Sequence, residues 1–187
     1  KDNKLALILN NKFKDQLIII NDDILKIDET LLFDETVSVF GNLPYNISTE
    51  ILSKWIINLK DQFWFNNLIL MFQKEVADRI LANFNSKNYG RISIISSWKM
   101  EIEKIIDIHP NSFSPSPKIK SSLLVFTPKD TYFNLKNPKN LEHITNIFFN
   151  QRRKMIKHPL KILFKNTDKI SKKLNININD RPQNLSP

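Results

Sequence analysis

The sequence predicts an α/β protein: a mostly parallel sheet with helices on both faces, followed by a small, basic helical region. Three observations lead there. Short continuous apolar runs, which suit strands covered on both sides, recur along the first two thirds of the chain. They alternate with segments whose apolar residues fall at helical spacing, the pattern of a layered α/β sheet. The net charge of +9 is unevenly placed. Residues 1–128 hold 15 Lys/Arg and 15 Asp/Glu, whereas residues 129–187 hold 13 and 4. A neutral body with a cationic appendage reads as a catalytic module joined to one that docks on a polyanion.

The elements follow in order. Lys4 to Leu9 is helix-compatible, with Leu5, Ile8 and Leu9 on one face. Gln16 to Asn21 contains the run Leu-Ile-Ile-Ile and is expected to form a buried strand, as is Val37 to Phe40. Thr49 to Leu59 carries the apolar stripe Ile51, Leu52, Trp55, Ile56 and Leu59, so it reads as a helix. Leu68 to Phe72 is a further strand, leading into the charged helix Lys74 to Ala82. Arg91 to Trp98 fits either a helix or a strand. Ile102 to Ile108 and Ser121 to Phe126 are late strands, separated by a loop that Pro110, Pro115 and Pro117 stiffen and keep out of the sheet. Lys129 to Asn140 reads as a polar linker. Leu141 to Phe164 is expected to be one helix, kinked or broken at Pro159. Ser186 before Pro187 has the form of a helix start.

Composition excludes several classes. The 187 residues contain no cysteine, which rules out disulfides and thiolate metal sites. No apolar run approaches the length of a membrane span, and a cytoplasmic setting is expected. His143 and His158 lack partners at ligand spacing, so no metal is expected. Only two glycines occur, Gly41 and Gly90. No Gly-rich loop able to cradle a cofactor is therefore available. That scarcity, and a first residue that is not Met, suggest a fragment.

Chemistry concentrates at Asn42-Leu43-Pro44-Tyr45-Asn46-Ile47-Ser48-Thr49. The Asn42 carboxamide oxygen and the carbonyl between Leu43 and Pro44 can both accept hydrogen bonds from one exocyclic NH2 group. Pro44 has no N–H and fixes its own φ, so the turn is stiff. Tyr45 offers a flat face on which an extruded base can stack. The plain alternative is a strand–turn–helix connection with a buried Tyr. Asp22-Asp23-Ile24 follows an expected strand, where an open parallel sheet binds ligands; a turn or helix cap is the plain reading. Asn150, Gln151, Arg152, Arg153, Lys154 and Lys157, with Lys161, would put several cations on about three helical turns. Arg suits phosphate because its planar fork binds two oxygens, and such contacts position RNA without reading its sequence.

The stretch Phe40-Gly41-Asn42-Leu43-Pro44-Tyr45-Asn46-Ile47-Ser48-Thr49 resembles the catalytic motif of the rRNA adenine N6,N6-dimethyltransferases. The likeness continues through Gln73-Lys74-Glu75-Val76, Tyr89-Gly90-Arg91, Phe113-Ser114-Pro115-Ser116-Pro117-Lys118 and Phe149-Asn150-Gln151-Arg152-Arg153-Lys154. The last block resembles the bacterial small-subunit branch of the family. The resemblance implies a Rossmann-like sheet that uses S-adenosyl-L-methionine as methyl donor, with residues 1–128 as a partial catalytic domain and 129–187 as a truncated rRNA-docking domain.

It also implies roles. Asp23 and Ile24 would contact the cofactor adenine, and Asn42 would sit between cofactor and target base. Tyr45 would stack the flipped adenine, with Phe113 closing on the opposite face. The implied reaction dimethylates N6 of two adjacent adenosines in small-subunit rRNA, performed by a monomer with no membrane partner. The family's Gly-rich loop and its ribose-gripping acid have no counterpart here, nor does its C-terminal end. The chain by itself is therefore expected to bind the cofactor weakly and to be inactive. Two alternatives stand beside this reading: a non-catalytic ribosome-assembly factor that binds RNA, and a large-subunit rRNA adenine methyltransferase conferring macrolide resistance. Asn150-Gln151-Arg152-Arg153-Lys154 argues against the second, and the intact Asn42/Tyr45 pair against the first.

Overall fold

The computed structural model describes residues 2–59 and 62–186, except the side chain of Asp15. The expected helix start at Ser186-Pro187 therefore ends outside the described residues. The chain forms two compact units, residues 1–35 and 36–187.

In the first unit, α1 spans Asn3–Phe13. Asp2 caps it by accepting a 3.0 Å hydrogen bond from the Leu5 amide, which satisfies one of the orphan donors of the first turn. Asn21 returns to this end, accepting from the Asp2 amide at 2.9 Å and donating to Asn3 Oδ1 at 2.6 Å. The strand expected at Gln16 to Asn21 does not form. Residues 17–20 make no ladder, and Ile18 is 95% exposed. An apolar run favours burial, but a strand also needs a neighbouring backbone to satisfy its N–H and C=O groups. Within this unit the described residues supply helices and turns but no strand.

The second unit is built on four strands: β1 (Val37–Asn42), β2 (Phe65–Gln73), β3 (Met100–Ile108) and β4 (Ser121–Pro128). Their order is β1-β2-β4-β3. The β1/β2 pair is parallel, whereas β2/β4 and β4/β3 are antiparallel. This corrects the expectation of a mostly parallel sheet. Apolar runs report burial on both faces but not strand direction, and β4 enters between β2 and β3 by the antiparallel return of a long loop. The inner strands carry the core: Leu68, Leu70 and Phe72 on β2 and Leu124 and Phe126 on β4 are fully buried.

Helix α2 (Ser48–Ile57) buries the predicted stripe, with Ile51, Leu52 and Ile56 inaccessible. It is followed by α3 (Lys74–Ile80) and α4 (Arg91–Lys99). The ambiguous segment from Arg91 is thus a helix. Its buried serines find backbone partners: Ser93 Oγ accepts from the Gly90 amide at 3.0 Å and donates to the Arg79 carbonyl at 2.6 Å, and Ser96 Oγ donates to the Ile92 carbonyl. With these groups satisfied, the segment packs without a ladder partner. Residues 129–137 run as a connection pinned to α4, through the Lys129 amide on the Lys99 carbonyl and Trp98 Nε1 on the Phe133 carbonyl.

Beyond the connection come α5 (Pro138–Asn150), α6 (Lys157–Leu163) and α7 (Thr167–Leu174). Phe148, Ile156 and Leu160 centre a second apolar cluster, packed by Phe149, Leu163 and Ile178 among others. The expected single helix from Leu141 to Phe164 breaks at residues 151–156, not at Pro159. The Ile156 and Lys157 amides donate to the carbonyls of Asp180 and Ile178 instead of to the preceding turn. Pro159 sits in the first turn of α6, where a helical N–H has no intrahelical partner to lose.

Tyr89 shows the cost of burial without a partner. It is 2% exposed, lies edge-on to Phe149, and its hydroxyl has no hydrogen-bond partner. Burial pushes its ionisation up to about 12. An unfolded phenol ionises near ~10. The folded state therefore holds this proton more tightly, and stability should be level below pH ~10 and fall as pH rises toward about 12. Tyr89→Phe should remove that alkaline loss. At neutral pH it should leave stability unchanged or raised by up to about 1 kcal/mol. Chemical denaturation of both forms at pH 7 and pH 11 checks this, and a variant that is clearly weaker at pH 7 would contradict the account.

Candidate active site

The site lies where β1 and β2 end. β1 alternates in exposure, so Val39 and Gly41 turn inward while Phe40 and Asn42 turn outward. Gly41 is needed for close approach: a Cβ there would lie 2.6 Å from Leu70 Cδ2, itself fully buried. Asn42, paired in register with Met71, closes the strand with its side chain exposed. Leu43 then plugs into the core at 8% exposure, and Pro44 is exposed. A turn follows in which the Ile47 amide donates to the Pro44 carbonyl at 3.1 Å. Ser48 opens α2 and donates its hydroxyl to the Tyr45 carbonyl at 3.1 Å. Tyr45 is partly buried, and its hydroxyl meets Ser121 Oγ at 2.8 Å.

Register places the Phe113 loop at the same end of the sheet. Ser121 opens β4 opposite Gln73, the last residue of β2, and opposite Ile108, the last residue of β3. The loop between β3 and β4, with Phe113 partly buried, therefore emerges beside the ends of β1 and β2. In open α/β sheets this end is where ligands bind.

Asp23 and Ile24 belong to the first unit. Asp23 Oδ1 accepts from the Leu25 amide at 3.1 Å, and its carbonyl accepts from Lys26 at 2.8 Å. In this structure the Asp23 side chain thus organises a turn, although no strand precedes it.

Charges beside the site are committed to one another. Ser122 Oγ donates to Asp107 at 2.7 Å, and Lys74 lies 3.4 Å from Asp107 and 3.1 Å from Asp78. The Ser122 hydrogen bond, aided by Lys104 and Lys74, holds the Asp107 carboxyl below its ordinary range; the Asp78 hydrogen bond raises Lys74. The Asp107 contribution to stability is present above the ordinary carboxylate range and is lost as pH falls through its depressed folded value. These carboxylates hold structure. At the strand end the Asn42 carboxamide and the Pro44 ring face solvent.

The basic block does not form one continuous face. Arg152 turns inward and donates to the Lys87 carbonyl. Arg91 pairs with Glu142 at 2.6 Å, and Arg79 pairs with Glu75. Arg152, Arg91 and Arg79 line a cavity of ≈ 290 Å³ with Thr49, Asn88 and Phe149. Asn150 ends α5 with its side chain exposed. Gln151, Arg153, Lys154 and Lys157 line a separate open groove of ≈ 740 Å³, together with His158 and Lys161. Asn179 and Arg181 complete that groove. Sequence reasoning missed them because the backbone pairing of 178–180 with 156–157 brings them in from a distant loop. Ser121 was missed for the same reason, since its partner Tyr45 lies 76 residues away in sequence. Among the described residues no group of three or more His, Cys, Asp or Glu could hold a metal, and no helix is long and apolar enough to cross a membrane.

Comparison with solved structures defines the fold. The chain aligns over 99% of its length with a dimethyladenosine transferase from Plasmodium falciparum, at a TM-score of 0.71, 24% identity and 75% of that chain. It aligns over 98% with the 23S rRNA methyltransferase ErmE, at a TM-score of 0.60, 17% identity and again 75% of that chain. The chain shares the Rossmann-like α/β fold of these two solved methyltransferases. Sequence comparison then narrows it. The profile of ribosomal RNA adenine dimethylases matches residues 1–187. The ribosomal RNA small subunit methyltransferase A of Pelagibacter ubique is 62% identical over the whole chain, which spans 71% of that relative. The proteins of the same name from Ehrlichia canis and from a Wolbachia of Drosophila simulans are 42% and 40% identical, and the chain spans 71% and 64% of their lengths. This chain belongs to the ribosomal RNA adenine dimethylase family.

Proposed function

We propose that the protein transfers methyl groups to N6 of two adjacent adenosines of small-subunit rRNA during ribosome maturation. The observation that carries this reading is the exposed Asn42 at the end of β1, followed by a proline-locked carbonyl and an anchored Tyr45. When bound, S-adenosylmethionine supplies an electrophilic sulfonium methyl. What remains for the chain is orientation. The Asn42 carboxamide oxygen and the Leu43 carbonyl accept the two N–H groups of the adenine amine. This draws its lone pair out of conjugation and toward the methyl, which needs placement more than a strong base. Tyr45 stacks one face of the flipped adenine, and Phe113 covers the other.

The residues present fit the methyl-transferring end of the cofactor. Asn42 would hold that end. No glycine-rich cradle occurs, since Gly41 is used against Leu70 and Gly90 precedes α4. Residues 1–128 form the catalytic part in this reading, and 129–187 dock on the small subunit of a cytoplasmic ribosome, the enzyme acting as a monomer. The small-subunit names of the relatives favour this over the large-subunit alternative.

The groove cations are the docking contacts. Exchanging Arg153 and Lys154 for Gln should weaken subunit binding and lower the slope of log affinity against log salt by about 1–2. Filter binding at several salt concentrations reads this, and an unchanged slope would remove these residues from the phosphate interface. The reaction itself is tested with the full open reading frame that encodes this chain. It is incubated with unmethylated small subunits and labelled S-adenosylmethionine, and modified adenosines are mapped by mass spectrometry. Tight binding without methyl transfer would leave an assembly factor in place of an enzyme.

A further inference from the structure

We infer that Ser121 is a positioning residue for the target base: its hydroxyl fixes the ring plane of Tyr45 on which the adenine stacks. The inference rests on the stacking role proposed for Tyr45 and adds the group that sets its geometry.

Tyr45 is held at both ends. Its carbonyl accepts from Ser48 at 3.1 Å, and its hydroxyl meets Ser121 Oγ at 2.8 Å. Both serines are buried, at 1% and 0% exposure, while the ring between these anchors remains partly accessible. Without the distal bond the ring would keep its backbone tether but could rotate about its side-chain torsions, whose terminal wells are broad. A stacking platform that swings loses the alignment between amine and methyl, and small misplacements of reacting groups are costly in rate.

Ser121 is itself held within the sheet. It opens β4 between β2 and β3, in register with Gln73 and Ile108. The residue before it is tied by the Lys74 amide on the Lys120 carbonyl at 2.9 Å. The residue after it is tied by Ser122 Oγ on Asp107, which also meets Lys74 and Lys104. Asp107 accepts the Ser122 hydroxyl, while the Ser121 hydroxyl meets Tyr45.

The test uses the full open reading frame with Ser121→Ala, Ser121→Thr, Tyr45→Phe and the double variant Tyr45→Phe/Ser121→Ala. Single-turnover methyl transfer, subunit affinity and the NMR signals of the Tyr45 ring are followed. Ser121→Ala should slow transfer about tenfold, with subunit affinity unchanged and the ring signals of Tyr45 altered. Ser121→Thr keeps the oxygen and should restore both readouts. The double variant should be no slower than Tyr45→Phe, because both changes remove the same bond. Wild-type transfer by Ser121→Ala, or losses that add in the double variant, would overturn the inference. If the unmutated protein transfers no methyl group, the proposed function fails by itself. Unchanged Tyr45 ring signals in Ser121→Ala would then sink the anchoring separately.

Discussion

Replacing Asn42 by alanine should cut single-turnover methyl transfer by about 10²–10³-fold while leaving small-subunit affinity near wild type. The side chain is exposed at the end of β1, so its removal opens no cavity, and stability should change by no more than about 0.5 kcal/mol. The loss therefore reads orientation, not folding. In the proposed geometry, with the carboxamide gone, the Leu43 carbonyl alone would hold the amine. The second N–H is then free to turn the lone pair back into the ring. In the proposed function binding rests on phosphate contacts of the basic groove and not on this carboxamide, which is why affinity should survive. A variant that keeps its rate to within about threefold would show that the Leu43 carbonyl suffices, and would remove Asn42 from the chemistry.

Phe126→Ala should cost about 3–5 kcal/mol of unfolding free energy. Phe126 is fully buried on β4 between Leu68 of β2 and Ile102 of β3, and it meets Phe72 edge-on with ring centroids 6.1 Å apart. The strands on either side are tied by backbone ladders, so the void cannot collapse freely. Domains of this size have roughly 5–15 kcal/mol in total, so the variant should sit near its unfolding threshold at growth temperature. Urea denaturation gives the number. By contrast, Ile105 lies at the irregularity between β3 and β4 and is 57% exposed; Ile105→Ala should fall within about 0.5 kcal/mol. Equal losses at the two positions would mean that β4 is not the centre of the core.

Much of the site was legible in the residues themselves. Val37 to Phe40 ends in Asn-Leu-Pro-Tyr, proline dictates the stiffness of that turn, and a Ser/Thr pair opens the next helix. Each of these is a local property, and each appears in the structure. The stripe of α2 and the continuous run of β2 were equally plain, because burial on one face or on both is written in spacing. Residues 17–20 show where that logic stops. The same apolar composition forms no strand there, because a ladder is a relation between two backbones.

By itself, then, the sequence determined the family motif, the helix and strand material, the neutral body and the basic C-terminal third. The tertiary structure alone decided the antiparallel insertion of β4 and the helix break at 151–156. It also turned Arg152 inward while Arg153 and Lys154 line a groove, and it set Ser121 against Tyr45. The division has one physical reason. Periodicity, turn chemistry and charge act between residues near in sequence. Strand direction, amide partners and the aim of a hydroxyl depend on residues that only folding brings together.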